Sequence, residues 1–254
     1  RLDLSASVSF DEEQSNAGEQ NIDNDLLEAD NFAVNFDAEY RLSPKFSVGS
    51  GVRYSEKQYV TYKDLFADRE GFTIPVDVFY EWTPKVDLSF GYAYTETAVG
   101  ETFRQTGIDQ YTRTGAYDRS SHFFNIGARG DLLPKLAGFF KVGYRARSTD
   151  DLVNQVFEFD PITTTTTTRI SSRDDSGMLG LDADLRWSAT PKLSATLSLS
   201  RDFGVGGEGQ STENSSINLS ANYAISTQYS AYANFGYTLR DYSNADREDD
   251  TGAS

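Results

Sequence analysis

Phe32-Ala33-Val34-Asn35-Phe36-Asp37-Ala38-Glu39-Tyr40-Arg41-Leu42 runs into Ser43-Pro44-Lys45 and then into Phe46-Ser47-Val48-Gly49-Ser50-Gly51-Val52-Arg53-Tyr54. In the first run every even position is apolar, and Asn35, Asp37, Glu39 and Arg41 fill odd positions. A period of two places successive side chains on opposite faces of a β-strand. Pro44 fits the first central position of a tight turn and cannot donate to a ladder. The stretch therefore reads as two long antiparallel strands joined by a short turn.

The same alternation recurs outward along the chain. Leu2, Leu4, Ala6, Val8 and Phe10 alternate with Asp3, Ser5, Ser7 and Ser9. Phe72, Ile74, Val76, Val78, Tyr80 and Trp82 form a third set, and Tyr229, Ala231, Ala233, Phe235, Tyr237 and Leu239 a fourth. Eleven strands are expected, at 2–10, 31–42, 46–59, 71–82, 86–96, 121–132, 136–148, 177–187, 193–203, 215–225 and 229–242. Strands of soluble proteins average ~5–6 residues, whereas a tilted membrane-spanning strand needs ~9–11. The connections alternate in kind. Short turns repeat around Pro44-Lys45, Pro84-Lys85, Pro134-Lys135 and Pro191-Lys192, with Ser226-Thr227-Gln228 as a degenerate fifth. Long polar loops occupy 11–30, 60–70, 97–120, 149–176 and 204–214.

Composition narrows the class. Only 38% of the 254 residues are hydrophobic, yet 13% are aromatic, and disordered chains are aromatic-poor. Thirty-nine acids against 23 bases give a net charge of −16, which argues against nucleic acid as a partner. The absence of Cys excludes disulfides and thiolate metal sites, and the single His122 removes most His-based chemistry. No apolar run approaches the ~20 residues of a membrane helix. The expected fold class is all-β: an antiparallel transmembrane β-barrel, one domain over 1–254, with about 11 strands in this chain. A soluble antiparallel sheet also alternates, but strand length, loop asymmetry and aromatic placement favour the barrel.

The polar face of that barrel is expected to line a wet lumen, with Asp37, Glu39, Asp77, Glu81, Asp87, Asp182 and Asp184 as acids. Arg41, Arg53, Lys57, Arg129, Lys141, Arg145, Arg147, Arg186 and Arg240 are the matching bases. Gly49, Gly51, Gly91, Gly127, Gly143, Gly180 and Gly236 on the same face leave room for water. Two readings stay open: a hydrophilic channel, or charges that pair across the lumen and plug it. Tyr40, Tyr80, Trp82 and Trp187, with Tyr92, mark one aromatic girdle, and Tyr54, with Tyr59, Tyr94 and Tyr242, the opposite one.

Other candidates carry less. Residues 11–30 hold eight acids and no Lys or Arg, including Asp23-Asn24-Asp25. Carboxylate oxygens suit Ca²⁺, but the glycine of an EF-hand loop is missing, and solvated acidic loops explain the same residues. The Thr163–Thr168 run is read as the extension of a hairpin. Asp118, Ser120 and His122 share a face and resemble the parts of a catalytic triad, but neighbours on one strand face stand ~7 Å apart at Cα. The expectation is a non-enzyme with no cofactor and no metal.

The hairpins Arg41-Leu42-Ser43-Pro44-Lys45-Phe46-Ser47-Val48-Gly49-Ser50-Gly51-Val52-Arg53-Tyr54 and Pro84-Lys85-Val86-Asp87-Leu88-Ser89-Phe90-Gly91-Tyr92-Ala93-Tyr94 resemble those of porins of the "beta-barrel porin 2" type. The resemblance implies a Gram-negative outer-membrane protein with the lipid bilayer as a partner. It also implies polysaccharide, with periplasmic export components, as candidate cargo and partners. The leading function is a channel for a polar solute, in that case the exit pore for a secreted polysaccharide. The alternative is a plugged structural barrel whose acidic extracellular loops bind a partner. Short turns are expected on the periplasmic side and long loops outside. Strand parity adds one more expectation. If the first strand ascends, so does 229–242, and two ascending strands cannot close an antiparallel ring. Residues 243–254 are then read as the start of another loop, the full barrel as twelve or more strands, and this chain as a fragment of it.

Overall fold

The computed structural model describes residues 1–16, 26–159, 163–172, 175–206, 211–242 and 250–253. Eleven long strands are β1 (Leu2–Asn16), β2 (Leu26–Arg41), β3 (Phe46–Tyr59), β4 (Arg69–Thr83), β5 (Val86–Val99), β8 (Tyr117–Leu133), β9 (Leu136–Thr149), β12 (Ser176–Thr190), β13 (Leu193–Val205), β14 (Ser211–Ala224) and β15 (Ser230–Tyr242). These are the eleven expected strands, most of them longer at the loop end. Five short strands are added: β6 (Thr102–Gly107), β7 (Gln110–Thr114), β10 (Leu152–Phe159), β11 (Thr164–Ser171) and β16 (Asp250–Ala253). The long strands and β16 form one antiparallel sheet in the order β1-β2-β3-β4-β5-β8-β9-β12-β13-β14-β15-β16. Residues 250–253 therefore depart from the loop expected there: they pair back on β15, from Arg240↔Asp250 to Tyr237↔Ala253. Among the described residues, β1 and β16 are the two edges of the sheet and do not pair with each other.

The loops 97–120 and 149–176 each hold a hairpin, β6–β7 and β10–β11, and the two join through β7 and β10 into a separate four-stranded sheet. The threonine run is strand β11, paired along β10 from Phe159↔Thr164 to Leu152↔Ser171. Its side chains are exposed, so no apolar face marks it in the sequence.

The turns show what their repeat encodes. The hydroxyls of Ser43, Thr83, Thr190 and Ser226 each accept hydrogen bonds from the amides two and three residues on, at 3.0–3.3 Å. Side-chain hydroxyls that hold a turn's own amides are a recognised turn device. The degenerate turn has lost Pro-Lys but kept Ser226. The turn at Leu133-Pro134-Lys135 has kept Pro-Lys but lost the hydroxyl, and there Lys135 adopts φ +70°. That conformation is costly for any side chain beyond glycine. Lys135→Gly should therefore stabilise the protein by up to ~1 kcal/mol, whereas Lys85→Gly should lose ~0.5–1 kcal/mol. Urea unfolding in micelles checks both, and each variant loses one exposed lysine contact.

The sheet curls with its polar face inward. Contacts between strands that are not sheet neighbours start from that face: Arg129 of β8 reaches Glu39 of β2, Lys141 of β9 reaches Asp77 of β4, and Arg69 of β4 reaches Val205 of β13. The apolar face points outward and is exposed, from Leu4, Val8 and Phe36 through Val76 and Phe90 to Ile126, Leu179 and Phe235. On β4 the outward set runs from Phe72 to Trp82. Ten residues at ~3.3 Å, tilted by ~40°, span ~25 Å, the height of a lipid-facing band.

Candidate functional site

The interior charges fall into tiers. Near the turn end Arg41 donates to Glu81 at 2.9 Å. In the next tier Arg129 binds Glu39 at 2.7 and 2.8 Å and Asp87 at 3.0 Å, with its guanidinium 3.4 Å above the Phe79 ring. Beside it Lys141 Nζ lies 2.8 Å from both carboxylate oxygens of Asp77. Arg53 reaches Asp37 at 3.4 Å. Towards the loop end Arg145 bonds Asp182 at 2.7 Å, lies 3.2 Å from Asp202, and stacks 3.7 Å over Phe123. Arg147 lies over Phe203.

Cavities open among these pairs. A cavity of about 690 Å³ is lined by Arg53, Asp77, Arg129, Lys141, Arg145, Asp182 and Asp184, among others. A second of about 330 Å³ includes Asp37, Glu39 and Arg129, and a third of about 220 Å³ includes Glu81, Asp87 and Arg129. Arg129 borders all three. Of the remaining charges, Arg240 Nε donates to Asn214 at 3.3 Å, and Arg186 is exposed near the turn end of β12.

Two of the interior glycines, Gly91 and Gly180, depart from the expectation of room for water. A Cβ on Gly91 would collide with Asp77 Oδ1 and lie 2.6 Å from Asn125 Oδ1. One on Gly180 would lie 2.6 Å from Arg145 Cγ and 2.7 Å from Phe123. Glycine here lets long charged and aromatic neighbours lie flat against the wall.

The aromatic positions divide. Tyr40, Tyr80, Trp82 and Trp187 lie on the outward face near the turn end, where Tyr80 packs on Phe46 and Trp82. Tyr54 is outward near the loop end, its hydroxyl donating to Glu56 and Glu70, and Tyr94 donates likewise to Glu96. The outward face thus turns from aromatic to acidic at one level on three strands, where the apolar band stops. Tyr59 departs from the girdle expectation: it has the opposite parity and packs inside on Phe66, 4% exposed. Tyr92 also departs, standing opposite Val76 at mid-strand and packing on Phe124.

Asp118, Ser120 and His122 face outward, in register with Ala98, Glu96 and Tyr94. His122 Nδ1 is hydrogen-bonded to the Tyr92 hydroxyl at 2.8 Å, and its ring packs on Tyr94 on the outward face. Of the acidic loop, Glu13 is held by Lys57 and Asn31, while Asp23-Asn24-Asp25 lies outside the described residues.

Sequence reasoning missed three contributors. Arg69 and Arg119 fall just before the strands expected at 71–82 and 121–132, where the alternation has faded because Ala67, Val99 and Tyr117 are buried together there and apolar groups no longer keep to the outer face. Asp202 lay within 193–203 but sits beside Ser200 in an otherwise uncharged face. Extending the parity of β4 and β8 by one hairpin step would have placed both arginines inside.

No protein-family model matches the chain, and no curated protein matches its sequence. Solved structures do match in fold. A TodX ΔS2S3 mutant, described as a monoaromatic hydrocarbon channel, superposes with a TM-score of 0.55 at 10% identity, covering 95% of this chain and 74% of that one. The toluene transporter TodX of P. putida gives 0.51 at 11% identity over 93% and 73%. The translocator domain of the autotransporter NalP from Neisseria meningitidis gives 0.47 at 12% identity over 93% and 81%. Together with the polar interior and apolar exterior, the two TodX matches define the class: an antiparallel transmembrane β-barrel of the outer-membrane kind. At these identities the likeness is one of fold.

Proposed function

We propose that the protein is an outer-membrane channel that passes a small polar solute through its interior. The observation that carries this reading is the charged concave face, with its chain of cavities, beneath an exterior that suits lipid. The TodX proteins, one described as a channel and one as a transporter, support transport through such a barrel. An interior lined by Arg129, Lys141, Asp77 and Asp182 suits a polar solute better than a hydrocarbon. The reading is non-enzymatic, because the triad-like residues face outward.

The tier formed by Arg129 and Lys141 is the constriction in this reading. Reconstituted in planar bilayers, the wild type should show small unit currents, and Arg129→Ala/Lys141→Ala should raise unit conductance several-fold. Silence in both proteins would instead favour the plugged structural barrel, which the cross-interior ion pairs also fit. The resemblance to "beta-barrel porin 2" proteins supports a finer version, a polysaccharide exit pore aided by periplasmic components, and that version requires the ion-pair tier to open. In either version the turn end faces the periplasm. A maleimide probe on intact cells should label Ile108→Cys in the 92% exposed β6–β7 turn, and should not label Lys85→Cys. The reverse pattern would invert the orientation.

A further inference from the structure

The turn end holds a groove that shares no lining residue with the three interior cavities. It measures about 810 Å³ and lies between the β4–β5 turn and the β8–β9 turn, with Arg186 and Ser188 from the end of β12. Small-molecule sites usually fall at ~300–1,000 Å³. Its apolar wall is Pro84 and Val86 from one turn and Leu132, Leu133, Pro134 and Leu136 from the other. Leu133 is 62% exposed, and Leu136 stands opposite Trp187 across the ladder and shares its outward face. Trp82 directly precedes the groove residue Thr83, and Trp187 lies between Arg186 and Ser188. The chain's two tryptophans thus flank the groove, at the level where aromatic belts meet the membrane surface.

The groove is also basic. Lys85, Lys135 and Arg186 line it against one carboxylate, Asp131. Lys85 lies 3.7 Å from Asp131, and with side chains 75% and 58% exposed that pairing is weak. Lys135 Nζ donates to the carbonyl of Ala189 at 2.6 Å, a neutral partner. Arg186 lines this groove and none of the three interior cavities. The surplus continues around the turn end. The five short turns carry Lys45, Lys85, Lys135 and Lys192 and the one acid Asp131, in a chain whose net charge is −16.

We propose that this groove holds a phospholipid with an anionic headgroup, its phosphate among Lys85, Lys135 and Arg186 and an acyl chain along Leu133 and Leu136. A soluble anion would meet the cations and leave the apolar wall in water. An uncharged lipid would cover the wall and leave the cations without a counter-charge. An anionic amphiphile satisfies both, and the leaflet beside Trp82 and Trp187 supplies it. Lysine and arginine lay their methylenes on apolar surface while the charged head reaches the phosphates, and basic groups at a membrane edge select anionic lipid.

The test uses the whole chain folded in phosphatidylcholine vesicles and does not depend on conduction, so the channel reading can fail without it. Phosphatidylglycerol or phosphatidylcholine with brominated acyl chains is added at the same low fraction. Bromine quenches tryptophan on contact, and Trp82 and Trp187, the only two in the chain, report from the groove. The anionic lipid should be favoured about fivefold or more in relative affinity. Lys135→Gln/Arg186→Gln, at two exposed positions, should bring the ratio close to one. Lys45→Gln, in a turn that does not line the groove, should leave the ratio within about twofold of the wild type. Asp131→Asn removes the one carboxylate and keeps the shape, so it should raise the ratio, an effect that damage to the fold would not produce. Equal quenching by the two lipids in the wild type overturns the proposal. An unchanged ratio in folded Lys135→Gln/Arg186→Gln overturns the location. Loss of the preference on adding inorganic phosphate or a glutamate decapeptide, at matched ionic strength, assigns the groove to a soluble anion or an acidic peptide and overturns the lipid.

Discussion

Arginine placed at Ile217 should destabilise the protein by ~2–4 kcal/mol, and arginine at the next residue, Asn218, by less than ~1 kcal/mol. The two positions share one backbone and the same height in the middle of β14, so only the face differs. Ile217 is outward, 44% exposed, and packs beside Leu199 and Tyr237 across the ladders. Asn218 faces inward between Ser198 and Gly236, where the missing side chain of glycine leaves space and Asp184 stands beyond Ser198. Lipid offers a guanidinium no partner, and the wet interior does. Val76→Arg belongs with Ile217→Arg. Its inward neighbour is a poor control, because Asp77→Arg would set a second cation against Lys141. Urea unfolding in lipid vesicles gives the comparison, and a costlier Asn218→Arg would invert the facing of the sheet.

How much of this fold the sequence discloses depends on whether a strand has two unlike faces. Inside the band every strand alternates, because one face meets an apolar medium and the other a polar interior. All eleven long strands could be read for that reason. Beyond the band the contrast between the faces is lost, because the inner side buries apolar groups as well, Tyr59 with Phe66 and Val99 with Tyr117, and the period vanishes. Residues 11–16, paired with 26–31, are strand without contrast, and so are β6, β7, β10 and β11. The turns were legible as Pro-Lys repeats. The hydroxyl that sets their geometry becomes visible only when Ser226 and Leu133 are compared.

The site was legible as a face and illegible as a network. Parity alone identifies Asp37, Glu39, Asp77, Arg129, Lys141 and Asp182 as interior residues. Which charges pair depends on how tightly the sheet curls. Arg129 passes over β5, β4 and β3 to reach Glu39, and Lys141 passes over β8 and β5 to reach Asp77. A sequence pattern encodes the sides of a strand and not the curvature that brings distant strands together. The same limit explains the glycines: Gly91 reads as a gap, whereas in the curled sheet its place is taken by Asp77 and Asn125.

Asp77 and Lys141 should behave as one energetic unit. Each side chain is mostly buried, 14% and 23% exposed, and Lys141 Nζ is equidistant from both carboxylate oxygens. Removing one partner leaves the other charge inside with its hydration only partly restored, because the adjoining cavity is wet. Breaking a fully buried pair costs ~3–5 kcal/mol, and the water here should reduce that to ~1–3 kcal/mol for Asp77→Ala or Lys141→Ala alone. The double variant should cost less than the sum of the two, with a coupling of ~1–3 kcal/mol. Gly91→Ala tests the geometry without touching either charge. Its new methyl group occupies the space of Asp77 Oδ1, so it should lose much of the same coupling. If the two single variants add with no coupling, water screens these charges from each other. The interior is then an open solvated bore, and the ion-pair tier is not the constriction on which the conductance increase depends.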